Sequence, residues 1–142
     1  MGKRELIINM NKLNYTELQL NIYNRYKELY SFKFISEGLP YCILNTKEIY
    51  LNIRDWLEPN ARTVFDILHE IGHLETNTYK MKRCEEEYYA TVWAINESYK
   101  LKLKISEEDK VLFQDYIWNL IDKAIKLHAK NVPSKEELTL KW

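Results

Sequence analysis

The stretch His69-Glu70-Ile71-Gly72-His73-Leu74 lies in a run whose apolar residues return at helical spacing. Val64, Leu68 and Ile71 form one stripe, helped by Phe65 and Gly72. The run begins after Glu58-Pro59-Asn60 and gives way to a polar loop from Asn77 to Arg83. Proline near a first helical turn is tolerated, because the N–H it lacks would be unpaired there anyway. The spacing predicts a helix running to about Thr76. Positions four apart on a helix project from the same face. His69 and His73 are such a pair, with Glu70 one step round from them.

The rest of the chain can be read outward from this helix. Upstream, Leu18, Ile22, Tyr26, Leu29 and Tyr30 predict a helix from about Tyr15 to Tyr30. Ser31 to Ser36 alternates and reads as a short strand, and Gly38-Leu39-Pro40 reads as a turn. Tyr41 to Leu44 reads as a second strand. Asn45-Thr46 reverses the chain into a partner strand from Lys47 to Ile53, with Ile49, Leu51 and Ile53 on one face. Downstream, a helix is predicted from about Cys84 to Tyr99, followed by a connection from Lys100 to Ile105. Ser106, with Asp109 three positions on, fits the N-cap of a last helix. That helix is predicted to reach about Lys130 through Leu112, Tyr116, Leu120, Ile121, Ala124 and Leu127, and Pro133 ends it. The tail from Ser134 to Trp142 reads as loose. The expected fold is α+β: a small mixed or antiparallel sheet of about three strands, packed on the His69–His73 helix and two to three further helices. A single domain spanning residues 1–142 is expected, with the site core at about 41–97.

Composition narrows the classes of function. Lys plus Arg and Asp plus Glu are each 21, so the formal net charge is zero. A protein built to bind a polyanion usually carries a basic excess, so direct nucleic-acid binding is not expected. No apolar run approaches the ~18 residues of a membrane span, and the N-terminus lacks a signal-type apolar core. A cytoplasmic location is expected, with Cys42 and Cys84 as reduced, small buried thiols. The chain carries 11 Tyr and 4 Trp, a density that fits either a core or a peptide groove.

The chemistry concentrates in His69-Glu70-Ile71-Gly72-His73. Two imidazoles one helical turn apart can reach a single ion, and Glu70 then stands beside it where a water would be. Imidazole suits Zn2+, which prefers four ligands, so a third protein ligand and an open position are required. The pattern arises by chance in roughly one chain of this length in a few hundred. Only three His are present, and two of them lie here. The third, His128, reads as a histidine near a helix C-terminus. The third ligand is expected from the next helix, where Glu85, Glu86 and Glu87 are the candidates. Glu87 is favoured, because Ala90, Thr91 and Ala94 follow it at helical spacing and make a small-residue face. Gly72 would supply the matching gap, which explains an interior glycine that otherwise costs ~1 kcal/mol relative to Ala. Glu85 and Glu86 read as a solvated helix start. Thr91 stands where it could hydrogen-bond a ligand imidazole or simply pack.

With the hairpin before it and Glu87-Tyr88-Tyr89-Ala90-Thr91-Val92-Trp93-Ala94 after it, the HExGH stretch resembles the ImmA/IrrE family of small zinc metallopeptidases. The resemblance covers roughly residues 41 to 97. In that family, the helix after the HExGH helix carries an E-x-x-A-(N/D)-x-F-A pattern whose first Glu is the third ligand, the position of Glu87 here. Thr91 replaces the usual Asn or Asp, and Trp93 replaces the usual Phe. The resemblance implies a minimal gluzincin-like fold and a cytoplasmic protease of a kind often encoded on phages or integrative elements. It also implies a protein or peptide substrate, such as a helix-turn-helix repressor.

The expected activity is therefore zinc-dependent hydrolysis of a peptide bond, with His69, His73 and Glu87 as ligands and Glu70 as general base. Tyr88, Tyr89 and Tyr99 are the candidates for steadying the developing oxyanion. The strand Lys47 to Ile53 is expected to offer its edge to an extended substrate. The rival readings are a non-catalytic regulatory or binding protein with a structural metal, and a hydrolase acting on a non-peptide amide.

Overall fold

The computed structural model describes the backbone of residues 3–76 and 81–127, and the side chains of 15–76 and 81–127. The first helix, α1, spans Lys3–Tyr26, so it starts earlier and ends earlier than its pattern predicts. The N–H groups of Leu29 and Tyr30 both donate to the Tyr26 carbonyl, at 3.0 and 2.9 Å, and close the helix with a turn. Ser31 then leaves for the sheet, donating its N–H to the Lys47 carbonyl at 3.0 Å.

Three strands follow: β1 (Ser31–Ile35), β2 (Tyr41–Ile43) and β3 (Glu48–Asn52). Their order is β1-β3-β2, with β3 in the middle. β3 runs parallel to β1, placing Ser31 opposite Glu48, and antiparallel to β2, placing Tyr41 opposite Tyr50. This mixed sheet corrects one expectation. The Lys47–Ile53 strand is no edge, because both its sides are paired; the edges are β1 and β2. Ile49 and Leu51 are buried, as a central strand requires. Ile53 is not on the strand face either. Asn52 Oδ1 accepts the N–H groups of Arg54 and Asp55 at 2.9 and 3.3 Å and caps a short helix, α2 (Ile53–Leu57). This helix was hidden in the sequence by the β-branched residues around it.

α3 (Ala61–Thr76) carries the HExxH stretch. Asn60 Oδ1 accepts the Thr63 N–H at 2.9 Å while Thr63 Oγ1 accepts the Asn60 N–H at 2.9 Å, a reciprocal cap that fixes where the helix begins. Its apolar stripe, Val64, Leu68 and Ile71, is buried. α3 lies at the centre of the molecule, touching α1, β2 and β3 as well as α4 (Arg83–Lys100), its most extensive partner. Ser106 Oγ accepts the Asp109 N–H at 3.1 Å and caps α5 (Glu107–Lys126), which packs on α4.

The buried face of α5 is Phe113, Ile117, Leu120, Ile121 and Ala124. Leu112, Tyr116 and Leu127, which the sequence placed in that stripe, are exposed. Leu120, Ile121 and Ala124 are buried as predicted; in the first half of the helix the buried residues are Phe113 and Ile117, one on from Leu112 and Tyr116. Pro133, His128 and the tail to Trp142 lie outside the described residues. Among the described residues, no helix is long and apolar enough to cross a membrane.

Candidate metal centre

α3 and α4 approach closely at Gly72. A Cβ added there would lie 2.7 Å from the Ala90 carbonyl oxygen and 3.2 Å from its Cα, so only glycine lets the two backbones meet. Ala90 and Ala94 are fully buried on the facing side. This contact sets the position of Glu87, one turn before Ala90, against the imidazoles of α3. The small-residue face and the glycine gap read from the sequence are both present.

The geometry around Glu87 is specific. Its Oε2 lies 3.2 Å from His69 Nε2, and its Oε1 lies 3.2 Å from His73 Nε2. The two rings stand nearly perpendicular, with centroids 4.8 Å apart and an interplanar angle of 73°. A second carboxylate, Glu70, faces the other nitrogen of His69, with Oε1 3.7 Å from Nδ1. The donor atoms of His69, Glu70 and His73 all fall within 4.8 Å of one another. Of the two carboxylates, Glu87 is the better third donor: it meets both Nε2 atoms and comes from a separate helix. Glu70 is left beside the group.

This donor set fits zinc. Two donors, each ~2.1 Å from an ion at the tetrahedral angle, lie about 3.4 Å apart. Each Nε2 is 3.2 Å from a different oxygen of Glu87, close to that value, so either oxygen could pair with one imidazole around an ion. Two nitrogens and one carboxylate oxygen also match the His2Glu composition of catalytic zinc sites, which keep a fourth position open.

The electrostatics follow from the packing. Burial works against a charged imidazole at His69, yet hydrogen bonds and the negative charges of Glu70 and Glu87 outweigh it and raise its pKa to about 9. Burial likewise opposes a charged Glu87, but the hydrogen bonds and charges of His69 and His73 hold its carboxyl well below the usual carboxylate range. Without an ion, His69 is thus protonated at neutral pH and paired with the Glu87 carboxylate, and an ion held by its imidazole would displace that proton. Two further side chains hold Glu87. Arg83 Nη2 lies 3.2 Å from Oε1 and is largely exposed, while the Tyr116 hydroxyl donates to Oε2 at 3.0 Å. Burial and the Glu87 charge push the Tyr116 phenol upward, so it stays a donor at neutral pH.

The sequence places Tyr116 in the α5 core stripe and gives no sign of this contact, which depends on α5 crossing α4 at Glu87, 29 residues away. The tyrosines chosen instead stand elsewhere. Tyr88 is buried in the core, where burial raises its phenol to about 12, and packs edge-on with Tyr89 at 5.1 Å. Tyr99 is 52% exposed at the far end of α4, roughly 18 Å along the helix from Glu87.

Glu85 is buried rather than solvated, and its Oε1 accepts the Lys82 N–H at 3.1 Å as a cap for α4. Glu86 is half-buried and makes no such cap. Thr91 Oγ1 is buried, but among the described residues it has no hydrogen-bond partner, so it bonds neither imidazole. Cys42, on β2, is half-buried, and its thiol is pushed up to about 12 by burial and then by the charge and hydrogen bond of Glu70. This brings β2, an open edge of the sheet, alongside Glu70. Both cysteines are free thiols.

Neither a protein-family model, nor a curated protein, nor a solved structure matches this chain.

Proposed function

We propose that this chain is a zinc-dependent metallopeptidase that hydrolyses a peptide bond, with His69, His73 and Glu87 as metal ligands and Glu70 as general base. The observation that carries this reading is the placement of both Nε2 atoms 3.2 Å from the two oxygens of one carboxylate, with a second carboxylate, Glu70, beside them at 3.7 Å from His69 Nδ1. A structural zinc site has no use for that second carboxylate. Zinc held there would supply Lewis acidity to a water and to the substrate carbonyl oxygen.

The remaining work falls to this chain's own groups. Glu70 accepts the proton of the attacking water and returns it to the leaving amine. Tyr116 fixes Glu87 Oε2 through a 3.0 Å hydrogen bond and keeps the ligand carboxylate aimed at the imidazoles. β2, an edge strand among the described residues whose Cys42 thiol meets Glu70, is the strand an extended peptide would pair with. The HExGH stretch and the Glu87–Ala94 stretch support membership of the ImmA/IrrE family. With that membership go a cytoplasmic setting, a phage or mobile-element origin, and a regulatory substrate such as a helix-turn-helix repressor.

Glu70→Gln tests the reading against a non-catalytic metal protein. Elemental analysis should find about one zinc per chain in both proteins, with peptide cleavage lost only in the variant. Full activity in Glu70→Gln would sink the peptidase. Absence of zinc from the wild-type chain would sink the metal site.

A further inference from the structure

We propose that the cavity between α3 and α5 is the recognition pocket for a bulky, uncharged side chain, aromatic or long aliphatic, next to the scissile bond. This deepens the metallopeptidase reading and rests on it.

The cavity encloses about 510 Å3 and opens onto His69 and Glu70. That volume lies within the roughly 300–1,000 Å3 of small-molecule sites. Its walls are Leu39 and Pro40 from the β1–β2 loop, Phe65 from α3, and Leu112 and Phe113 from α5. Phe65 and Phe113 stack with centroids 4.1 Å apart, making a flat, buried apolar floor. Leu39 is 85% exposed and Leu112 is 54% exposed, although both line this one concavity. Exposed leucines across a pocket mouth are the surface that an apolar side chain would cover.

The charges in the wall do not favour an ionic guest. Arg62 is held between Asp66 and Asp109, with both separations 3.4 Å, and its guanidinium lies 5.0 Å from the Phe113 ring centroid. It is already paired, so it offers little to a substrate carboxylate. A substrate lysine or arginine would have to compete with it for Asp66, and the other carboxylate in the wall, Glu70, stands against His69. Continuity with His69 and Glu70 places the occupant beside the bond being cut rather than at a remote subsite.

The test is a series of amino-acid hydroxamates, which hold a metal through the hydroxamate and differ only in side chain. Their affinity for the zinc-loaded full-length chain is measured by calorimetry, with no turnover needed. Benzyl and isobutyl members should bind at least roughly 50-fold tighter than the methyl, carboxylate and ammonium members. Leu112→Asp, on an exposed position, should keep its zinc and reduce that preference to under about 5-fold; Leu39→Asp should do the same. A wild-type protein that binds all members equally with zinc in place would overturn the pocket and leave the metallopeptidase reading standing. Unchanged discrimination in both aspartate variants would also overturn the pocket. A chain that takes up no zinc and binds no member would overturn the metal reading, and the pocket with it.

Discussion

The two sides of α3 are built on different principles. Toward α4 the contact is tight: Gly72 meets the Ala90 backbone with no room for a methyl group, and Glu87 is delivered to within 3.2 Å of both imidazoles. Toward α5 and the β1–β2 loop the packing opens into a cavity of about 510 Å3. The lesson is that one side of the helix fixes the ligand geometry while the other leaves space for a guest. A catalytic group needs both placement to a fraction of an ångström and access for a substrate, and His69 serves both, meeting Glu87 while lining the cavity.

The largest effect should come from the tight side. Glu87→Ala removes the carboxylate that meets both Nε2 atoms, and zinc affinity should fall by more than about 100-fold, a larger loss than outer partners of a metal cause. Competition with a chelator of known affinity measures it. Equal zinc affinity in the variant would mean that the third ligand lies elsewhere.

Gly72→Ala comes next. On an exposed helix the change would stabilise by about 1 kcal/mol. Here the new Cβ would lie 2.7 Å from a backbone oxygen, so α4 must move, at about 1–3 kcal/mol of net destabilisation. A drop in melting temperature together with weakened zinc binding is expected. A gain in melting temperature would show that α4 gives way at Ala90 without cost.

The open side should respond more mildly. Tyr116→Phe deletes the hydroxyl that holds Glu87 Oε2 but leaves a ring on a partly exposed helix face. Zinc affinity should weaken by roughly 10-fold, with the melting temperature of the metal-free protein nearly unchanged. An effect as large as that of Glu87→Ala would erase the distinction between the two sides.

The smallest effect belongs to neither side and gives the baseline. Glu48, at the surface of β3, is held down to about 2, chiefly by its hydrogen bond from the Lys33 ammonium. A carboxyl depressed in the folded state adds stability that is present above its ordinary pKa of about 4.3 and lost as pH falls through about 2. Lys33→Ala should return Glu48 toward the ordinary range, as NMR titration would show, and should change stability little at neutral pH because the pair is exposed. An unchanged Glu48 titration in that variant would reject the pairing.

How much of this was legible before the fold was known depends on how local the signal is. The α3 helix, its His pair, the Gly72 gap and the small face around Ala90 all follow from spacing along one or two helices. The Asn52 cap was readable in principle, but it lies among Ile49, Leu51 and Ile53, whose alternation reads as a longer strand. The role of β3 could not be read locally: the hairpin partner β2 is adjacent in sequence, whereas the parallel partner β1 is not. A strand with one obvious neighbour looks like an edge until the second is found.

The clearest contrast is on α5. Val111-Leu112-Phe113 and Tyr116-Ile117 are apolar neighbours, and a periodic pattern fits almost as well one residue to either side. Only the packing on α4 and α3 turns Phe113 and Ile117 inward, and the same rotation brings Leu112 to the cavity and Tyr116 to Glu87. The amino-acid order by itself determined the helices and the two imidazoles, because backbone geometry repeats at fixed intervals along a chain. The tertiary structure decided which neighbours meet across elements, because those contacts depend on rotations and crossings that no single element's periodicity encodes.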